Sequence, residues 1–541
     1  MGRWGVIVVL ATAQFIMVLD TTVMNVSLSA VVKDLDTTVA SLQLAITMYA
    51  LCMAAFMLTG GKLGDVWGRK RAFSIGLVVY GVGSMTTALS PNLAVLLIGW
   101  SLIEGLGAVL IIPAIASLTA VNYQGRDRAV AYGILGGIAA AGAAAGPLIG
   151  GWFTTELSWR YVFAGETLCT ILLLFFVRRI ADAPVARRPR LDPLSVVLSG
   201  LGLGMLVFGI LKSSSWGLLA AKSGPEIGGK TVEPFGLSLV PFLIGIGLVV
   251  IGIFIRRQEQ LEREGRDPLL PPRLLGVPQL RAGLAMLSVQ QLILNGTFFV
   301  LPVYLQMILG KDALETGIAI LPLSVGVVLL SFGGARLAAT QAPRTLLRIG
   351  LTVLLASLVV MLAAVDKQLD SGLFAVSMFL FGAGIGLGAS QLGNVIMSSV
   401  PQSESSDAGG LQGTAQNLGA ALGTALIGAV LLAGLTSNFN KQIAANPAIS
   451  RSTQEAVASA TQQGVPAAST ADVEQALAGS DIPASEQEAL VEEYSDAELL
   501  ALKESLLAAM FFVLAGFWFA GRLPAEPLVA EEEHGLEPAP A

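Results

Sequence analysis

Between two long apolar runs stands the charged stretch Gly61-Lys62-Leu63-Gly64-Asp65-Val66-Trp67-Gly68-Arg69-Lys70-Arg71. A bilayer core of about 30 Å needs about 20 apolar residues per helix, and residues 42–61 and 72–89 supply one such run on each side. The stretch therefore reads as a short aqueous turn between two membrane helices. Its glycines permit a tight turn, and Asp65 lies close enough to Arg69, Lys70 and Arg71 to form a charge latch against neighbouring helix ends. Working outward, the apolar runs number fourteen: 5–27, 42–61, 72–89, 93–113, 130–153, 160–177, 194–211, 235–255, 282–305, 316–334, 345–364, 373–396, 410–434 and 504–521. Nothing in the pattern calls for a sheet, and the expected class is an all-α integral membrane protein.

Composition agrees. Of 541 residues, 54% are hydrophobic and 13% charged, against roughly 25% charged in soluble domains. A formal charge of −6 gives no basic face for nucleic acid. Cys52 and Cys169 sit in apolar runs and the single histidine, His534, in an acidic tail, so neither a disulfide framework nor a metal cluster is suggested.

Placing the N-terminus inside puts 22 of the 32 Lys and Arg on the cytoplasmic side of an alternating fourteen-span chain, which predicts both termini cytoplasmic in the cell membrane. The basic segments 178–193 and 256–281 flank spans seven and eight. The expected plan is thus 6+2+6: an N-terminal lobe over 1–180, two extra helices within 181–281, a C-terminal lobe over 282–521, and an acidic tail over 522–541. The polar stretch 437–500 lacks a long apolar run. From Asn438 to Leu500 it holds ten acidic residues against Lys441 and Arg451, and it reads as a solvated extracytoplasmic tether with short surface helices at most. Met1–Leu10 followed by Ala11-Thr12-Ala13 mimics a cleaved leader, but the apolar run continues to Val26 and the charge bias needs that helix retained.

The order Gly-x-Leu-x-Asp-x-x-Gly-Arg-Lys-Arg at 61–71 resembles the signature loop of the major facilitator superfamily. That resemblance implies two six-helix lobes, here with two additional helices, and a gating role for Gly61, Asp65, Gly68, Arg69, Lys70 and Arg71. In span five, Gly142, Gly146 and Gly150 fall on one helix face beside Pro147 and Gly151, so a neighbour can approach closely and the proline can bend the rod. This is similar to the superfamily's antiporter motif, which implies export. Span one carries Leu19-Asp20-Thr21-Thr22-Val23-Met24-Asn25-Val26-Ser27-Leu28, which looks like the first-helix motif of the fourteen-helix drug:proton antiporter family, with Ser29 where that family has proline. Span four departs from the family: Ser101 stands where an arginine is usual and Glu104 where an amide is. Glu166, after Trp159-Arg160-Tyr161-Val162-Phe163, stands where asparagine is usual.

An ionisable side chain inside a membrane is costly unless it is paired or serves a function. Asp20 and Glu104, with Glu166 in a lesser role, are therefore the expected proton-coupling and substrate residues. Neutral cavity-lining groups are expected from Asn25, Gln291, Asn295, Gln391, Gln412 and Gln416. Gly224-Pro225-Glu226-Ile227-Gly228-Gly229-Lys230-Thr231 spells a phosphate-binding loop, but no hydrophobic strand precedes it and Pro234 follows. Nucleotide binding is set aside. The expected function is proton-driven export of amphipathic, cationic drugs, with no enzyme activity, no cofactor beyond the proton gradient, and small molecules, protons and the lipid bilayer as partners. The alternatives are an exporter of an endogenous lipid or secondary metabolite and, remotely, a transport-silent sensor.

Overall fold

The computed structural model describes residues 4–37, 39–182, 190–219, 224, 226–227, 230–338, 340–401, 404–461, 465, 470–480 and 482–527. Fourteen long helices carry the chain: α1 (Gly5–Val26), α2 (Val39–Trp67), α3 (Arg69–Ala88), α4 (Leu93–Asn122), α5 (Gly125–Glu156), α6 (Arg160–Val177), α7 (Pro193–Trp216), α8 (Val240–Arg263), α9 (Pro278–Ile308), α10 (Ala313–Leu337), α11 (Pro343–Ala364), α12 (Ser371–Ser398), α13 (Ser405–Ala445) and α14 (Ala484–Ala520). Thirteen are long and apolar enough to cross a membrane. The fourteenth, α3, starts on Arg69-Lys70-Arg71 and is rich in Gly, Ser and Thr; it is shielded between α4 and α6. Two elements are not simple α-helix: α4 widens to π-helical turns over Leu97–Glu104 and α9 over Tyr304–Ile308.

Helices α1 to α6 pack on one another, as do α9 to α14. The lobes meet where α5 lies against α10 and α12, and where α13 lies against α2 and α4. Among the described residues, every glycine touching the opposite lobe does so toward the end that carries Lys62 and Arg69. A Cβ on Gly133 would sit 2.5 Å from Ala335, one on Gly413 2.7 Å from Met57, and one on Gly409 3.3 Å from Pro113. The molecule is closed at this basic end. Helix α7 joins Val207 and Ile210 to Ala54 of α2 and to Ala421 and Ala425 of α13. It thus lies over the seam between the lobes, while α8 outside it leaves Ile246, Val249 and Ile253 exposed.

The described residues of 437–500 do not form a loose tether. Helix α13 runs 41 residues and α14 37, about 60 and 55 Å at 1.5 Å per residue, so both project well beyond a bilayer. Short helices Arg451–Ala460 and Thr470–Ala478 lie between them. The reason is local: Ala, Glu, Gln and Leu are strong helix formers, Ser450 caps the first short helix through the Thr453 amide, and Phe439 meets Tyr494 edge-on. Glu504 lies inside α14 and accepts from Asn438 at 3.2 Å. Around the phosphate-loop spelling, β1 (Glu226–Ile227) pairs antiparallel with β2 (Lys230–Thr231). That is a small hairpin after a helix, without the strand-to-helix turn that phosphate needs; Pro225, Gly228 and Gly229 lie outside the described residues.

Candidate acidic site in the first lobe

Asp20 on α1, Glu104 on α4 and Glu166 on α6 converge. Each offers one carboxylate oxygen within 4.8 Å of the other two, and their exposures are 0%, 0% and 3%. Three elements place them. The rise of α1 carries Asp20 about 22 Å from the helix start at Gly5, away from the closed basic end. The π-helical turns of α4 end on Glu104, and such turns re-aim side chains at functional positions. Gly83 lets α3 approach so closely that a Cβ there would lie 2.5 Å from the Glu104 nitrogen.

The trio has few donors. Trp100 Nε1 donates to Asp20 Oδ1 at 2.8 Å, its ring stacked on Tyr49 with centroids 5.0 Å apart. Ser84 Oγ donates to Glu166 Oε2 at 3.0 Å and is shared with the Phe163 carbonyl. Asp20 Oδ2, both Glu104 oxygens, Glu166 Oε1 and the Tyr80 hydroxyl are buried with no hydrogen-bond partner. Ser101, where a cation was missed from the family pattern, donates to the Ala45 carbonyl at 2.8 Å. No Lys, Arg or His side chain, among the described residues, is bonded or ion-paired to any of the three carboxylates. Isolated charges in such surroundings cost far more than paired ones, so three ionised carboxylates together would be costly here.

The turn between α2 and α3 is narrower than the spelling suggested. Only Gly68, at φ 94°, makes it; Gly61 lies inside α2, because the helix continues to Trp67. Arg69 pairs with Asp65 at 3.8 Å, and Lys70 Nζ donates to the carbonyls of Arg178 and Ile180 after α6. Arg71 is exposed. Lys62 crosses to the other lobe and reaches Asp407 of α13 at 3.7 Å.

Gly142, Gly146 and Gly150 do form one face, and α1 fills it. A Cβ on Gly142 would stand 2.8 Å from the Phe15 carbonyl, one on Gly150 3.0 Å from Val23, and one on Gly146 would strike Thr22. These contacts hold the Asp20 turn of α1. Gly151 is buried; the side chain of Pro147 lies outside the described ones, and α5 is continuous through it.

The expected amides scatter. Asn295 donates to the Gln291 carbonyl at 3.0 Å on its own helix, Gln391 donates to the Gly334 carbonyl at 3.1 Å, and Gln412 Oε1 is buried without a partner. Gln416 is half-buried, and the Asn25 side chain lies outside the described ones. Sequence reasoning missed Trp100, Tyr80 and Tyr49, whose ring bulk reads as core. It also missed Glu498 of α14, buried to 1% with both oxygens unpartnered, since 437–500 was read as a tether.

A family model described as "Major Facilitator Superfamily" matches residues 10–424. Relatives include a puromycin resistance protein of Streptomyces alboniger, 30% identical over 79% of this chain and 81% of its own. A tetracenomycin C resistance and export protein of Streptomyces glaucescens is 28% identical over 80% and 76%, and a cephamycin export protein of Amycolatopsis lactamdurans is 30% identical over 78% and 83%. The crystal structure of the human organic anion transporter MFSD10 superposes with TM-score 0.54 at 13% identity, covering 80% of this chain and 94% of its own, a likeness of fold. With the paired lobes, the charged α2–α3 turn and a match over most of its length, the chain belongs to the Major Facilitator Superfamily of membrane transporters.

Proposed function

We propose that the protein exports amphipathic, cationic small molecules across the cell membrane in exchange for protons, by alternating access of its two lobes, with both termini cytoplasmic. The observation that carries this reading is the acidic trio without a basic partner. A carboxyl in oil is tolerated when it binds a proton, and becomes a site for a cation when it gives that proton up. The glycine face of α5 against the Asp20 turn supports coupling between this site and helix movement, since close backbone contact transmits a shift without slack. Lobe contacts gathered at the Lys- and Arg-rich end support a state closed to the cytoplasm, with the trio in the outer half. Drug-like cargo is supported by the names of the relatives, each described by an antibiotic. A second reading, export of a metabolite the cell itself makes, is favoured by the two relatives described as export proteins.

The test uses proteoliposomes holding the purified protein under an imposed pH gradient. Puromycin and ethidium, the probes, should release protons on transport, and Asp20→Asn or Glu104→Gln should lower gradient-driven flux at least about tenfold, the loss of one coupling term of about 1.4 kcal/mol or more. Undiminished flux in both variants would sink the proton-exchange reading. Cargo handled only when drawn from the cell's own extract would favour the second.

A further inference from the structure

At the closed end several basic side chains face an acid: Lys62 faces Asp407, Arg69 faces Asp65, and Arg273 faces Glu404. Arg344 and Arg348 on α11 and Arg522 just after α14 do not. Among the described residues none of these three guanidiniums is ion-paired, and the Arg344 Nε is buried without a hydrogen-bond partner. Helix α11 starts at this same end, since the preceding α10 brings Ala335 against Gly133. Arg344, Arg348 and Thr352 lie at i, i+4 and i+8, on one face of α11. The chain beyond α14 is pinned to the start of that face, with Leu523 buried and the Pro524 carbonyl accepting from the Arg344 amide at 3.3 Å. Arg348 reaches across to α14, where one of its guanidinium nitrogens would lie 3.5 Å from a Cβ on Gly521. Next to it, the Arg522 guanidinium sits 4.9 Å from the centre of the Trp518 ring. The result is a cavity of about 510 Å³, lined by Arg344, Thr345, Arg348 and Ala525 and, further along α11, by Thr352 and Val353.

The cavity changes character along the helices. Ile349 and Val359 of α11 and Leu514 and Trp518 of α14 are exposed. The charged mouth lies within about 8 Å of the start of α11, whereas the apolar face continues to Val359, about 24 Å along it. These are the depths of phospholipid headgroups and of acyl chains, and the exposed Trp518 beside Arg522 is the kind of side chain that sits at their boundary. We propose that this cavity binds the headgroup of an anionic phospholipid, with its phosphate held by Arg344 and Arg348, Arg522 alongside, and its acyl chains against the exposed faces of α11 and α14. Guanidinium forks match phosphate oxygens, and basic pockets between helices at this depth recognise anionic headgroups. A free phosphate would satisfy the arginines but leave the apolar face without a partner. The bound lipid ties α11 to the chain beyond α14, and the proposal depends on neither protons nor cargo.

Native mass spectrometry of the full chain, supplied in turn with phosphatidylglycerol and phosphatidylcholine of the same acyl chains, reads the site directly. Wild type should retain phosphatidylglycerol at least about tenfold better, and Arg344→Gln/Arg348→Gln should lose that preference. Arg336→Gln removes an exposed arginine at the same end and should keep the preference, which separates a built site from general positive charge. Equal retention of the two lipids by wild type overturns the proposal without recourse to any variant. So does a preference that survives in the double variant or falls equally in Arg336→Gln. Inorganic phosphate at the lipid's concentration should not displace phosphatidylglycerol; displacement would assign the arginines to a soluble anion. Residues 531–533 are three glutamates, so a chain ending at Pro527 is measured as well and should match wild type. A preference present only in that shortened chain would give the arginines to the acidic tail and overturn the proposal.

Discussion

Trp100→Phe separates the two duties of the largest fully buried side chain. The phenyl ring can keep the stack on Tyr49, but the N–H that Asp20 Oδ1 accepts at 2.8 Å is lost. Leaving a buried acceptor unmet costs about 1–3 kcal/mol. The expected outcome is a lower thermal midpoint in detergent and slower proton-linked transport, with Trp100→Tyr no better since its hydroxyl falls elsewhere. A midpoint equal to wild type would show that the indole contributes bulk alone. At this scale Asp20, Glu104 and Glu166 stand out in the sequence because a carboxyl within an apolar run is expensive. Trp100 and Tyr80 do not, because an aromatic in such a run is already explained by the oil around it.

The extra pair shows how an element is anchored from outside the membrane. Helix α7 begins at Asp192, which accepts from the Ser195 amide at 3.0 Å and pairs with Arg257 at the end of α8 at 3.1 Å. The Arg257 guanidinium foremost, with the Ser195 bonds, holds the Asp192 carboxyl down at about 2, against an ordinary 3.8, burial opposing them. A carboxyl depressed in the folded state contributes stability that is fully present above its unfolded value and lost as pH falls through the folded one. The contribution is therefore complete above about pH 4 and disappears toward pH 2. Asp192→Ala should cost about 0.5–2 kcal/mol as a lost cap. The thermal midpoints of variant and wild type should converge as pH is lowered through that window, and a constant difference would assign the effect to packing. The pair's existence is legible from its two hydrophobic runs and their basic flanks. Its seat across α2 and α13 is not, because Ala54, Val207 and Ala421 are ordinary apolar residues until they touch.

At the level of the whole molecule, lobe contact at one end predicts where a cross-link forms. A Cβ on Gly137 would lie 3.3 Å from the Ser331 Cβ, near the roughly 3.5–4.5 Å that a disulfide spans, so cysteines at both positions should oxidise in this conformation, and the buried Lys62–Asp407 pair bridges the same end. Breaking one partner of a buried pair costs about 3–5 kcal/mol, so Lys62→Met should shift the population away from the closed end. The Gly137→Cys/Ser331→Cys pair should therefore cross-link efficiently alone and poorly when combined with Lys62→Met. Equal cross-linking in both would show that the ion pair does not govern closure.

Legible in the amino-acid sequence are the fourteen apolar runs and the costly side chains within them, because water-free surroundings penalise charge and broken apolar runs residue by residue. A charged turn within 61–71 and the glycine face of α5 are legible too, since they follow from local chain geometry, although only the structure places the turn at Gly68. The tertiary structure alone decided that three carboxylates on α1, α4 and α6 share one dry site, that α7 touches both lobes, and that α13 and α14 extend into 437–500 with two short helices between them. Those outcomes depend on which faces meet, a matter of packing between segments up to hundreds of residues apart, and no pattern along a single segment encodes it.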